Sequence, residues 1–293
     1  MTGQATMRRR GGRKGVGAAA LASAIFCAGL TSCTNTTSYF DPLAVDARDN
    51  AGKISYPTIM RIGMAAKGGG DYANAVSMFR RAAVVAPTEA VPLVAAGDTL
   101  REMGQANEAI VAYSAALDRN PHYPLALEGL AKAYLSTGKP ELAQAPLETA
   151  YQDTPQNPKI LLLMGVTADF SGNHPQAQAD YAEGLKYQPA DSALILDLAL
   201  SLALSEDYDR AVSTLSPVAN GANSTARERQ TLALIYGLKG DRPAAERLAR
   251  MDLSPAAVEH NMAYYDTLRR LPLEARSKAV LSASSGLQSE RRS

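Results

Sequence analysis

Residues of the same type recur every 34 positions along most of the chain. Alanine stands at positions 75, 109, 143, 177, 211 and 245, and glycine stands at 70, 104, 138, 172 and 240. Proline follows the same period at 87, 121, 155 and 189. A fixed period of this length is typical of stacked-repeat architectures, in which each unit buries its apolar face against its neighbours.

One unit, residues 90–121, shows what the period encodes. Apolar or small residues at i, i+3, i+4 and i+7 from Leu93 predict a first helix. Gly104 then suits a left-handed helix end, and a second apolar stripe predicts another helix that ends before Pro121. We expect Tyr113, on the second helix, to fill the space between adjacent units.

This unit resembles the tetratricopeptide repeat. Its small-residue and turn positions recur as Gly63/Gly70/Ala75/Ala82, Gly97/Gly104/Ala109/Ala116, Ala131/Gly138/Ala143/Ala150 and Gly165/Gly172/Ala177/Gly184. The resemblance implies an all-α fold, a right-handed α-solenoid of about six repeats over residues 56–253. The fifth unit departs from the pattern, because Glu206 replaces the turn glycine and Val218 replaces the later alanine.

Residues 254–271 and 272–293 follow the repeats. Ser254 and Pro255 suit the start of a helix, and the apolar stripe behind them predicts a capping helix over 254–271. Residues 272–293 are rich in serine and predict a flexible tail.

The first 32 residues predict a lipoprotein signal peptide. A cluster of five basic residues precedes a 15-residue apolar stretch over 16–30, too short and too rich in alanine and glycine for a typical membrane span. Leu30-Thr31-Ser32-Cys33 resembles the lipobox of bacterial lipoproteins, which implies lipid attachment at Cys33. The alternative is an ordinary signal peptide with an incidental cysteine. We expect residues 33–55 to form an acylated tether, and Thr34 favours attachment to the outer membrane, facing the periplasm.

The composition argues against several function classes. Without residues 1–32, the 30 basic residues fall to 25 against 29 acidic ones, so no basic surface for nucleic acid is expected. Cys27 and Cys33 are the two cysteines, and the predicted processing leaves no free thiol. His122, His174 and His260 share no ligand spacing and are interpreted as surface residues. We therefore expect no enzyme activity, no small-molecule substrate, no metal and no cofactor.

The remaining functional candidate is the groove that first helices line in tetratricopeptide solenoids. The resemblance places these residues in a peptide-binding groove: Met60, Met64, Val91, Val94, Leu125, Leu135, Leu162, Val166, Phe170, Leu196, Leu200 and Leu234. Packing between helices is the alternative role for any one of them. As a set they predict a protein partner that supplies an amphipathic helix or an extended apolar segment.

The acylated cysteine, the tether and the solenoid together resemble the TadD-type lipoproteins of the tight-adherence (Flp) pilus apparatus and other pilotins of secretin systems. The resemblance implies an outer-membrane binding module that captures and localises a secretin subunit. The alternative is a general periplasmic scaffold that recruits peptidoglycan hydrolases or proteases.

Overall fold

The computed structural model describes residues 55–286, so the predicted signal peptide, Cys33 and nearly all of the predicted tether lie outside this range. Within residues 55–286 all regular structure is α-helical. The helices are α1 (Tyr56–Gly68), α2 (Tyr72–Val85), α3 (Val91–Glu102), α4 (Ala106–Arg119), α5 (Pro124–Ser136), α6 (Pro140–Asp153), α7 (Pro158–Phe170), α8 (His174–Tyr187), α9 (Ser192–Leu204), α10 (Tyr208–Ala219), α11 (Ala226–Lys239), α12 (Arg242–Ala249), α13 (Pro255–Arg270) and α14 (Leu273–Gly286).

The helices pack in sequence order as pairs. Each odd-numbered helix from α1 to α11 packs on the even-numbered helix that follows it, and each pair packs on the next pair. First helices of adjacent units also contact each other from α3 to α11. This nearest-neighbour packing of helix pairs confirms the predicted all-α solenoid.

The turn between the two helices of a unit needs a left-handed backbone conformation. Five of these turns have a glycine with a positive φ, between 68° and 91°. Glycine adopts this conformation at no steric cost. In the fifth unit Glu206 adopts the same conformation, with a φ of 64°. The backbone geometry of the turn is therefore kept where the glycine is lost.

The periodic prolines lie just beyond the second helices. The helices α2, α4, α6 and α8 end at residues 85, 119, 153 and 187, two positions before prolines 87, 121, 155 and 189. Proline cannot donate the backbone hydrogen bond that would extend the helix, so the spacing sets where each second helix stops. In the fifth unit Pro217 lies inside α10 and the following loop is longer.

A large buried side chain on each of the first five second helices holds neighbouring units together. Phe79, Tyr113, Leu147, Tyr181 and Leu215 stand 34 residues apart, and all are almost fully buried. The ring of Tyr113 fits against glycines of two first helices, because a Cβ at Gly97 or Gly129 would lie 2.7 or 2.4 Å from its Cε1. The predicted role of Tyr113 between units is confirmed.

The C-terminal end of the chain differs from the prediction. The flexible tail predicted for residues 272–293 is wrong for residues 273–286, which form helix α14. Arg276, Ser277, Val280 and Leu281 of this helix are buried, and it packs on α9 and α13. The sequence did not predict this helix because most of its residues are polar or small. Only one narrow stripe of its surface is buried.

The packing of Tyr181 against Gly165 predicts a strong effect of a single methyl group. A Cβ at Gly165 would lie 2.3 Å from the Cε1 of the buried Tyr181 ring, so Gly165→Ala should destabilise the fold by about 1–3 kcal/mol. We expect a lower urea midpoint by far-UV circular dichroism. Gly68→Ala is the matched control, since its Cβ would meet nothing within 4 Å. An unchanged midpoint for Gly165→Ala would contradict this packing.

Candidate peptide-binding face

The accessible side chains of the odd-numbered helices α1 to α11 form a surface that we call the first-helix face. Its apolar exposure is greatest in the first three units. Met64 on α1 is 51% exposed and Leu125 on α5 is 57% exposed, and Val91 at the start of α3 is also exposed. Exposed side chains of this size on successive repeats provide contact area for an apolar partner.

The twelve residues predicted for the groove fall into three groups. Met64, Val91 and Leu125 are exposed. Six others are half-buried and reach the surface with part of the side chain: Met60, Leu135, Leu162, Val166, Phe170 and Leu234. Peptide binding by these nine residues stays a prediction.

Three predicted groove residues belong to the core, and their assignment to the groove was wrong. Val94 is buried in the apolar cluster of α2 to α5. Leu196 and Leu200 are buried in the cluster that joins α9 to α14. Helix α9 is apolar nearly all round because α7, α8, α10, α11 and α14 all pack on it. Surface positions and core positions therefore look the same in its sequence.

A small recess lies between α3 and α5 on the first-helix face. Asp98, Arg101, Leu125, Glu128 and Lys132 line it together with Gly129, and its volume is about 60 Å³. Cofactor and substrate pockets usually enclose several hundred cubic ångströms. The recess can hold the end of one side chain, so its size suits a peptide better than a small molecule.

Three ion pairs join charged residues of the first-helix face. Lys67 Nζ lies 3.1 Å from Glu102 Oε1 across α1 and α3, and Lys132 pairs with Glu128 within α5. Arg227 Nη2 lies 3.8 Å from Asp197 Oδ1 across α9 and α11. A cluster of unpaired cations would suit a peptide carboxylate, but these basic residues already have acidic partners.

Asp169 and His174 have structural roles that the sequence did not indicate. The buried carboxylate of Asp169 accepts hydrogen bonds from the Tyr181 hydroxyl at 2.9 Å and the Ser201 Oγ at 2.7 Å. His174 Nδ1 lies 2.7 Å from Asp169 Oδ1, and its Nε2 lies 3.2 Å from the Ser277 Oγ. His174 is buried, so its interpretation as a surface residue was wrong.

The other two histidines lie at the surface. His122 pairs with Asp153 between neighbouring turns, and His260 is exposed on α13. Among residues 55–286 no group of three histidine, cysteine, aspartate or glutamate side chains could hold a metal ion. No helix within this part of the chain is long and apolar enough to cross a membrane.

Comparisons with known families and structures agree with this geometry. Two models of the tetratricopeptide repeat match the sequence, over residues 100–167 and 162–216. These residues are tetratricopeptide repeats. No curated protein has a sequence that matches the chain.

Solved tetratricopeptide-repeat structures share the fold at low sequence identity. A tetratricopeptide repeat protein from Parabacteroides merdae is 15% identical with a TM-score of 0.60, covering 74% of this chain and 86% of its own. PilW, described as a widely conserved type IV pilus biogenesis factor, is 17% identical with a TM-score of 0.60, covering 66% and 90%. Pseudomonas aeruginosa PilF is 18% identical with a TM-score of 0.58, covering 71% and 97%.

Asp197, on helix α9 of the first-helix face, has a raised pKa in the folded protein. Burial raises the pKa of its carboxyl from 3.8 to about 6, Asp169 and Asp191 add to the rise, and Arg227 opposes it. The side chain is 19% exposed. The folded state therefore binds a proton more readily than the unfolded chain between about pH 4 and pH 6. Because of this difference, stability falls as the pH rises through that window.

This shift predicts that Asp197→Asn stabilises the protein at neutral pH. Removing the buried charge should raise the free energy of unfolding by up to about 3 kcal/mol at pH 7.5, and the gain should vanish near pH 4. Urea denaturation of both proteins at several pH values measures the difference. Asp209→Asn is the control, because that side chain is 88% exposed and should give no such pH dependence. If the difference in the free energy of unfolding between Asp197→Asn and wild type did not change with pH, the raised pKa of Asp197 would be refuted.

Proposed function

We propose that the protein is an outer-membrane lipoprotein that binds and localises a secretin subunit during assembly of a tight-adherence (Flp) pilus. The tetratricopeptide solenoid supplies the partner-binding surface, and acyl chains on Cys33 supply the membrane anchor. The observation that carries the proposal is the exposed apolar surface of Met64, Val91 and Leu125 on three successive repeats.

The chemistry of that surface defines the partner segment. Two ion pairs, Lys67–Glu102 and Lys132–Glu128, neutralise charges beside these residues, so apolar contact dominates recognition. Methionine adapts its shape to different partners, which suits a helix or an extended apolar segment. We propose that this segment belongs to the secretin subunit.

The fold likeness to two pilus proteins supports this choice of system. PilW is a pilus biogenesis factor by its description, and it shares the repeat fold over most of its length. The lipobox-like sequence at Leu30–Cys33 supports a lipid-anchored position in the envelope. An anchor on the same membrane as the partner raises the effective concentration of the binding surface.

The first-helix face gives the sharpest test of the proposed partner. Deletion of the gene should reduce the secretin multimers of the outer membrane. The Met64→Asp/Leu125→Asp variant should reproduce that loss, because it places charges in apolar contacts that the bound partner would bury. Leu142→Asp is the matched control, since Leu142 is 47% exposed but lies on the second helix α6. Multimers are measured by immunoblotting of unboiled outer membranes. Normal multimers in the deletion strain would contradict the pilotin function and favour a general scaffold.

The proposed anchor has its own test. Cys33→Ala should move the protein from the membrane fraction to the soluble periplasmic fraction, because one cysteine carries all the acyl chains. Metabolic labelling with palmitate should disappear in the same variant. Cys27→Ala is the control and should leave both labelling and membrane fractionation unchanged. Unchanged labelling of Cys33→Ala would contradict the assignment.

A further inference from the structure

Helix α14 is held against the repeats by one narrow stripe. Among residues 273–283 only Arg276, Ser277, Val280 and Leu281 are buried, at spacings that place them on one side of the helix. Leu273 and the remaining positions are exposed or half-buried. An amphipathic helix seated in this way on other helices is the arrangement of a helix-in-groove complex.

The centre of this contact is a cage around the guanidinium of Arg276. Its Nη1 donates to Glu206 Oε1 at 2.8 Å and to the Tyr208 hydroxyl at 3.0 Å. Its Nε donates to the Leu268 carbonyl at 3.2 Å. Its Nη2 donates to the carbonyls of Arg269 and Leu271 at 3.4 and 3.3 Å. All three guanidinium nitrogens therefore donate to acceptors of α13, its C-terminal end, the fifth turn and the start of α10.

Glu206, the residue that supplies the negative charge of the cage, has a left-handed backbone conformation. Glu206 has a φ of 64°, at the position where five other turns have glycine. A residue with a side chain adopts this conformation at a cost, which glycine avoids. The fifth turn keeps this conformation while placing a carboxylate beside Arg276. The same residue thus breaks the repeat pattern and makes the ion pair with α14.

We propose that this cage is a binding site for an arginine-bearing amphipathic helix, and that α14 occupies it in competition with a helix of a partner protein. The helix α14 itself shows the chemistry that the site accepts, with an arginine followed by apolar residues four and five positions later. The cage lies on unit 5 and on α13, and His174 of unit 4 contacts α14 beside it through Ser277. The exposed apolar residues of the first-helix face lie on units 1 to 3. The cage is thus a second interaction surface, beyond the proposed secretin contact.

A peptide competition on the full chain tests the site. The probe is a fluorescent synthetic peptide of residues 272–286, and binding is measured by fluorescence anisotropy. The wild-type chain should bind it weakly because α14 fills the cage. Arg276→Ala frees α14 and leaves the acceptors in place, so the affinity should rise by at least about tenfold. Arg270→Ala is the matched control, because Arg270 is exposed at the end of α13 and should leave binding at the wild-type level.

A second variant separates release of α14 from loss of the site. Glu206→Gly should retain the turn, since glycine occupies the equivalent position in the other units, but it removes the carboxylate. Hydrogen exchange of α14 amides should speed up by about tenfold or more while α9 and α10 stay protected. The same variant should not gain peptide binding, because its cage is incomplete.

The outcomes decide the proposal whether or not Arg276→Ala folds well. If a helical Arg276→Ala chain binds the peptide no better than wild type, α14 is a fixed part of the fold and the proposal is wrong. If Arg276→Ala unfolds, unchanged protection of α14 in Glu206→Gly overturns the proposal, and selective loss of that protection supports it. None of these readouts depends on a secretin.

Discussion

The solenoid depends on one repeated contact, in which a large side chain of a second helix packs closely on the preceding first helix. The rings of Phe79, Tyr113 and Tyr181 each lie against a glycine of the preceding helix, so close that an added Cβ would overlap the ring. A large buried side chain recurs at this position every 34 residues, with Leu147 and Leu215 in place of a ring in the third and fifth units, so it sets both the distance between helices and the spacing between units. The turns, the helix ends and the first-helix face follow from that spacing.

Features that depend on neighbouring repeats could be predicted from the sequence, and features that depend on distant residues could not. The turn glycines, the prolines after second helices and the position of Tyr113 each depend on residues within one or two units, so their spacing predicted them. The seating of α14 depends on Arg276 meeting Glu206, 70 residues earlier in the chain. No local pattern encodes such a pairing. Glu206 itself was visible as the residue that breaks the glycine series, and that departure was the available signal for it.

The predicted groove shows the limit of transferring positions from a family pattern. Met64, Val91 and Leu125 are exposed as expected, because the units around them have ordinary amphipathic helices. Leu200 stands at the position equivalent to Met64, and Leu196 at the position equivalent to Met60, but both are buried because α9 is surrounded by other helices. Position in a repeat predicts which way a side chain points. Whether another part of the chain covers that side chain depends on tertiary packing, which one sequence does not reveal.

The placement of α14 also affects how the stack responds to force. In a solenoid without such a helix each unit contacts only its neighbours, so bending is distributed evenly along the whole length. Here one helix ties His174 of the fourth unit, Glu206 of the fifth and the end of α13 together. The C-terminal portion is thereby stiffened, and elastic deformation under a pull would concentrate in the first three repeats. Lifting α14 away would restore compliance to the entire array.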